Sequence, residues 1–368
     1  VVNKAGLIET VGSGEPRIDF SNDAKGALLL EPQRMNLLPY SEDFNNSAWT
    51  KSNSSITSNS VISPDGTLNA DKLIENTSNA SHQVYKTVIT NSGDFSNSIF
   101  VKSAERSKIR INSGSNSDRV DFDLSNGTVI SEVGATGSIV SISNGWYKCD
   151  ISWNTVTVSA QYFLISLLDD SGTQSYTGNG TSGVYIWGAQ VEQGSYATSY
   201  IPNFGNSAGA TRSADVCINA GNNQVINSTE GTIYGEQKSL ETDFSYNYFS
   251  AVSDGTNNNR LEIRQAGTSL QFLWRVGGTY QAAITLSNAP FSSTIKYALR
   301  YSSTDIKFYV NGSLVNTINS PTLYSAETLN NIQFADGVGT TNFRGTVKEC
   351  KYYNTALTDQ ELINLTTI

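Results

Sequence analysis

The sequence predicts an all-β protein: two antiparallel β-sandwich (jelly-roll) domains in tandem, closed by one short C-terminal helix. Three observations predict it. Charged residues make up only 15% of the 368 residues, while aromatics reach 10% with Tyr leading. A chain rich in Thr, Val, Ile and Tyr favours strands. Short runs of alternating apolar and polar residues recur along the chain, separated by turns of Gly, Asn, Asp and Ser. The length fits two domains of about 100–200 residues each.

Residues 1–34 form an opening or assembly segment. It contains a short strand candidate, "RIDF", and an apolar run, "ALLLEP", stopped by Pro32. It is too small to bury a core alone, so it is expected to pack on the next domain or on a neighbouring subunit. Residues 35–202 read as one β-domain, with strands at "SHQVYKTVI", "SNSIFVKSA", "SKIRINSG", "RVDFDLSNGTVI", "WYKCDISW", "AQYFLISLLD" and "GVYIWGAQVE". In the last of these, alternation puts Val184, Ile186 and Gly188 on one face and Tyr185, Trp187 and Ala189 on the other. Tyr196 and Tyr200 lie past this strand and are expected at the domain junction.

Residues 203–227 are small and polar and read as a linker, with "TRSADVC" as a possible short strand. Residues 228–368 read as a second β-domain. Its clearest local signal is Asn311-Gly312 between "IKFYV" and "SLVNTI", a type I′ hairpin pattern. At the end, Thr358 and Glu361 have capping-box spacing ahead of Leu362, Ile363 and Leu365, which predicts one short helix.

Composition excludes several functions. The net charge of −9, with no Lys/Arg run, argues against a nucleic-acid partner. No apolar stretch is long enough for a membrane-spanning helix. Cys149, Cys217 and Cys350 are widely spaced and read as free thiols, not as a zinc set or a disulfide framework. The single His, His82, reads as structural. No G-x-S-x-G, P-loop or H-E-x-x-H pattern occurs. Asp121 and Asp123, ahead of an "SNG" turn, read as a solvated hairpin edge, not a pair of catalytic carboxylates. Calcium is the metal to consider, in Asx-rich loops holding Asp65, Asp71 and Asp336.

Sugar recognition uses an aromatic face against the apolar side of a pyranose, with amides and Arg for hydroxyls. Alternation places Tyr85, Lys102, Arg110 and Tyr162 together on one outer or concave sheet face of the first domain. In the second domain the candidates are Tyr246, Tyr248, Arg264 and Trp274. Trp49, Trp146 and Trp153 are assigned to packing.

"PRIDFSNDAKGALLLEPQRMNLLPYSEDFNNSAW", then "VYIWGAQVEQGSYATSYIPNFG", then "ATRSADVC" resemble a modular block of bacteriophage tail-fibre and tailspike-type virion appendage proteins. Residues 35–202 look like a carbohydrate-binding-module jelly roll. Residues 228–368, through "IKFYVNGSLV" and "FRGTVKECKYYNTALTDQELINL", resemble a concanavalin A-like, laminin-G or pentraxin-type sandwich. The resemblance implies a non-catalytic virion protein that binds host-surface glycan, works beside other virion proteins and assembles as a homotrimer. Two alternatives stay open. One is a secreted or surface bacterial glycan-binding module from a larger polysaccharide-active protein. The other is a polysaccharide lyase or hydrolase with an unrecognised site.

Overall fold

The computed structural model describes residues 1–113, 118–155, 159–240 and 246–368. Among the described residues all paired strands run antiparallel, and the α-helix Asp359–Thr366 follows the last strand. The chain divides into two compact units: Val1–Val11 with Gln33–Ser213, and Gly12–Pro32 with Ala214–Ile368.

The first unit is built on two six-stranded sheets. One has the order Thr128–Val133, Asp118–Asp123, Lys108–Ser113, Ser159–Leu168, Gln83–Thr90, Thr50–Ser52. The other has the order Thr136–Ser141, Trp146–Thr155, Gly93–Ser103, Gly183–Gln193, Leu68–Glu75, Ser54–Ile62. Their inner faces meet in one apolar core that includes Phe44, Trp49, Ile109, Phe122, Trp153 and Phe163. Such interdigitated inner faces define a β-sandwich.

The second sheet is also covered by a separate cluster, in which Phe100, Trp146 and Trp187 pack with Tyr200 and Ile8. The three Trp assigned to packing are therefore all buried. His82 is buried as well, with its ring nitrogens facing the carbonyl oxygens of Asn53 and Tyr176.

The strand Gly183–Gln193 departs from simple alternation. Its register against Gly93–Ser103 shifts between Trp187 and Gln190. Gly188 sits there at φ +64°, where an added Cβ would stand 3.0 Å from the Phe100 ring. A residue inserted this way flips the faces that follow. Val184 and Ile186 enter the inner core, and after the bulge so do Ala189 and Val191. Ala189 thus lies opposite to the side expected from alternation. Tyr196 and Tyr200 pack within the first unit: Tyr196 lies under the Arg34 guanidinium, and Tyr200 against Trp187.

The second unit pairs a seven-stranded with a five-stranded sheet. The seven-stranded order is Ile18–Asp19, Ala27–Leu30, Gly345–Tyr353, Gly231–Ser239, Ile295–Tyr301, Asp305–Val310, Ser313–Asn319. The opening segment is thus not held apart as one piece. Val1–Val11 joins the first unit, and residues 12–32 supply two strands to the second. An apolar strand with unpaired backbone groups needs a sheet edge, and Gly345–Tyr353 supplies it. Residues 203–227 are likewise packed: Ala210–Arg212 pairs with Arg34–Asn36, and Ile226 is buried in the second unit.

The Asn311-Gly312 turn has both residues at positive φ, 48° and 80°, as a type I′ hairpin requires. The Thr358–Glu361 capping box is formed, and Leu362 docks onto Tyr234, Ala298 and Tyr309.

Candidate functional site

In the first unit, the outer face of the sheet carrying Gln83–Thr90 and Ser159–Leu168 gathers three of the expected residues. Register sets Tyr85 opposite Leu164, Tyr162 opposite Thr87, and Arg110 opposite both Ser166 and Asp121. The Tyr85 and Tyr162 rings meet edge-to-face at 6.0 Å, both half-buried. One pleat away the face opens into a polar cleft of about 360 Å³, lined by Gln83, Arg110, Asn112, Arg119, Leu164 and Gln174.

A connected set of polar groups floors this cleft. Arg110 holds Asp121 through two bonds, Nε to Oδ1 at 2.6 Å and Nη2 to Oδ2 at 2.9 Å. Its Nη1 donates to Gln174 Oε1 at 2.9 Å. Gln174 Nε2 donates to Ser166 Oγ, which donates to Gln83 Oε1. Asn112 is 5% exposed, and its Oδ1 accepts no hydrogen bond from the described residues. A buried amide oxygen without a donor costs free energy that a ligand hydroxyl would recover.

Lys102 does not share this face. It lies on Gly93–Ser103 in the other sheet, at a shallow depression with Val61, Ile62, Leu68 and Asn144. Asp121 is not a solvated edge either, since it is buried against Arg110. Asp123 does behave as a turn residue, accepting from the Ser125 amide and hydroxyl.

In the second unit, the five-stranded sheet runs Thr279–Leu286, Ser269–Val276, Arg260–Ala266, Asn247–Ser253, Asn331–Gln333. Its inner face buries Leu261, Ile263, Phe272 and Trp274. Trp274 is 2% exposed, so it is core and presents no platform to a ligand. The outer face carries Arg260, Glu262 and Arg264 at alternate positions of one strand. Tyr246 stands 46% exposed, with Arg264 Cζ 4.1 Å from its ring centroid. Tyr248 is mostly buried, and its hydroxyl accepts from Arg264 Nη1 at 3.4 Å. Here Tyr246, Tyr248 and Arg264 do come together.

Alternation along "RLEIR" already places Arg260, Glu262 and Arg264 on one face. Only the strand register adds Arg275, which lies opposite Arg260, and Tyr280, opposite Arg275. These residues and Leu273 line a cleft of about 130 Å³. Glu262 is fully buried; burial pushes its carboxyl up from the usual carboxylate range, against the Gly337 amide that donates to Oε1 at 2.7 Å.

The acids considered for calcium are otherwise engaged. Asp65 Oδ1 accepts from the Thr67 amide and hydroxyl, and Asp336 from the amide and hydroxyl of Thr340. Asp71 is buried and takes the Phe44 and Asn59 amides. Among the described residues no group of three or more His, Cys, Asp or Glu converges. All three cysteines are free.

The family match among known proteins falls within the second unit. Residues 222–363 match the family model described as Concanavalin A-like lectin/glucanases superfamily. No curated protein sequence matches the chain. Among solved structures, the Ruminococcus gnavus IT-sialidase CBM40 bound to sialyllactose is similar at 18% identity, over 41% of this chain and 95% of that one, with a TM-score of 0.35. The heptameric SAP-like pentraxin from Limulus polyphemus is similar at 12% identity, over 41% of this chain and 75% of its own, with a TM-score of 0.34. Domain 4 of an extracellular arabinanase from Geobacillus stearothermophilus, in complex with arabinotriose, is similar at 11% identity, over 41% and 72%, with a TM-score of 0.34.

Proposed function

We propose that the chain is a non-catalytic glycan-binding protein that serves as an adhesin on a bacteriophage appendage. In this reading it is a homotrimer, extracellular as part of the virion, held beside other virion proteins and facing host-surface polysaccharide. The observation that carries glycan binding is the first-unit face: the Tyr85–Tyr162 pair beside a cleft floored by amides and the neutralised Arg110–Asp121 pair. An aromatic surface next to fixed amide groups suits stacked sugar rings and their hydroxyls. The lectin-type match over residues 222–363 supports the same reading. The appendage role rests on the sequence resemblance. The same match equally supports a second reading, a binding module of a larger bacterial polysaccharide-active protein.

An array of neutral glycans probed with the full chain and with Tyr85→Ala and Tyr162→Ala tests binding. Retained binding by wild type and loss in both variants supports the proposal; absence of binding, or indifference to both substitutions, overturns it. Arg110→Ala is the wrong probe, because it strands the buried Asp121 and unfolds more than it informs. Light scattering separates the two readings: a mass of three chains fits the appendage, and a monomer fits the module. Release of reducing ends or unsaturated products from a polysaccharide panel would replace both with an enzyme.

A further inference from the structure

The outer face of the five-stranded sheet in the second unit collects positive charge in a chain whose net charge is −9. Arg260, Arg264 and Arg275 line one cleft with a single carboxylate, Glu262. Arg260 and Arg275 sit directly opposite each other on paired strands. Like charges in that position destabilise a sheet. Glu262 answers only part of this. Its Oε2 lies 3.1 Å from Arg260 Nε, yet no donor is aligned on it.

Arg264 is held by Gln271 Oε1 and by the Tyr246 ring, neither of which carries negative charge. Arg275 has no hydrogen-bond or ion-pair partner among the described residues. The described acids of the flanking loops do not supply one. Asp254 is taken by Thr256 and Asn259, and Asp336 by Thr340 and Thr341. The cleft, about 130 Å³, is some four times the roughly 30 Å³ that a water takes in the liquid. That admits an anionic group and the ring atoms nearest it. Tyr280, 48% exposed, stands at its rim, and Tyr246 lies beyond Arg264.

We propose that this cleft is a second binding site, selective for acidic glycan, in which the carboxylate or sulfate of a sugar residue sits between Arg275 and Arg260 and the sugar ring rests on Tyr280. Guanidinium groups match such oxyanions through paired N–H donors, which fixes orientation as well as charge. The site is separate from the first-unit cleft, whose Arg110 is already neutralised by Asp121 and which suits neutral sugar. An anion here also relieves the Arg260–Arg275 opposition, so binding and local stability are coupled.

The test is calorimetric titration of the full chain with a linear uronate oligosaccharide, its neutral methyl ester, and a sulfated oligosaccharide of similar length. At least one acidic ligand is expected to bind about tenfold or more tighter than the ester, with affinity falling as salt rises. Which acid binds assigns carboxylate or sulfate. Arg275→Ala is expected to remove that preference without lowering the melting temperature, since it deletes a like-charge contact; Arg275→Lys restores it only in part. Tyr85→Ala and Tyr162→Ala leave it unchanged. Binding of both acidic ligands no tighter than the ester, acid binding unaffected by Arg275→Ala, or no acidic ligand bound overturns the inference. The first-unit reading survives any of these if the array signal still depends on Tyr85 and Tyr162.

Discussion

The guanidinium of Arg264 lies over the ring of Tyr246, Cζ to centroid 4.1 Å, and Tyr246 is nearly half exposed. An exposed cation–π contact contributes about 0.5–1 kcal/mol. Tyr246→Ala should therefore cost no more than about 1 kcal/mol in a denaturant melt of the second unit. It should cost more in acidic-glycan affinity, because Arg264 then loses the surface that holds it in place. Tyr246→Phe keeps both. Loss of stability without loss of affinity would make the contact purely structural.

Glu75 and Arg106 make a bidentate ion pair in the first unit. Arg106 donates through Nε at 2.8 Å and Nη2 at 2.9 Å, and the Tyr176 hydroxyl and Asn179 amide also donate to Glu75. These donors hold the Glu75 carboxyl below the usual range, against the opposing effect of burial. The stability it contributes is present above the ordinary Glu range and is lost as pH falls through the depressed value. Glu75→Gln should cost up to about 3–5 kcal/mol at neutral pH by removing the buried charge that Arg106 pairs with, leaving it only the exposed Asp170 at 3.8 Å, and should flatten the acid limb of the pH–stability curve. Parallel curves for variant and wild type would show that other carboxylates set that limb.

Asp71 should behave in the opposite sense. Burial raises its pKa to about 6, partly offset by the Phe44 and Asn59 amides. Its favourable contribution is full below the unfolded value and is lost as pH rises through about 6. Carboxyl-carbon NMR should follow this titration directly. A midpoint in the ordinary Asp range would mean that the amide donors outweigh burial.

Gly188 carries the bulge that re-aims its strand. Gly188→Ala places a side chain at positive φ against Phe100 and should destabilise the first unit by about 1–3 kcal/mol. Ala189→Gly, beside it, should cost far less. Equal melts for the two would show that the bulge tolerates a Cβ.

Much of the architecture was legible where a signal is local. The Asn311-Gly312 hairpin and the Thr358–Glu361 cap each need only a few neighbouring residues, and both form. Tyr85, Arg110 and Tyr162 share a face because alternation holds within each of their strands. Lys102 was misplaced because alternation assigns a face of a strand and says nothing of which sheet the strand joins. The Asp121 pairing and the Arg260–Arg275 opposition depend on register between strands. The strand Ala27–Leu30 depends on a partner from the far end of the chain. No local pattern encodes such contacts.

That last pairing sets the order in which the protein can be born. The chain leaves the first unit after Val11, lays down two strands of the second, returns at Gln33, and crosses again after Ser213. A ribosome therefore finishes every described strand of the first unit while Ala27–Leu30 still waits for Gly345–Tyr353, the last strand among the described residues. The first unit can condense on the nascent chain; the second closes only once Gly345–Tyr353 has emerged. A fragment that begins at residue 33 keeps the whole sequence of the lectin-type match, yet exposes the edge of Gly345–Tyr353 to any passing strand.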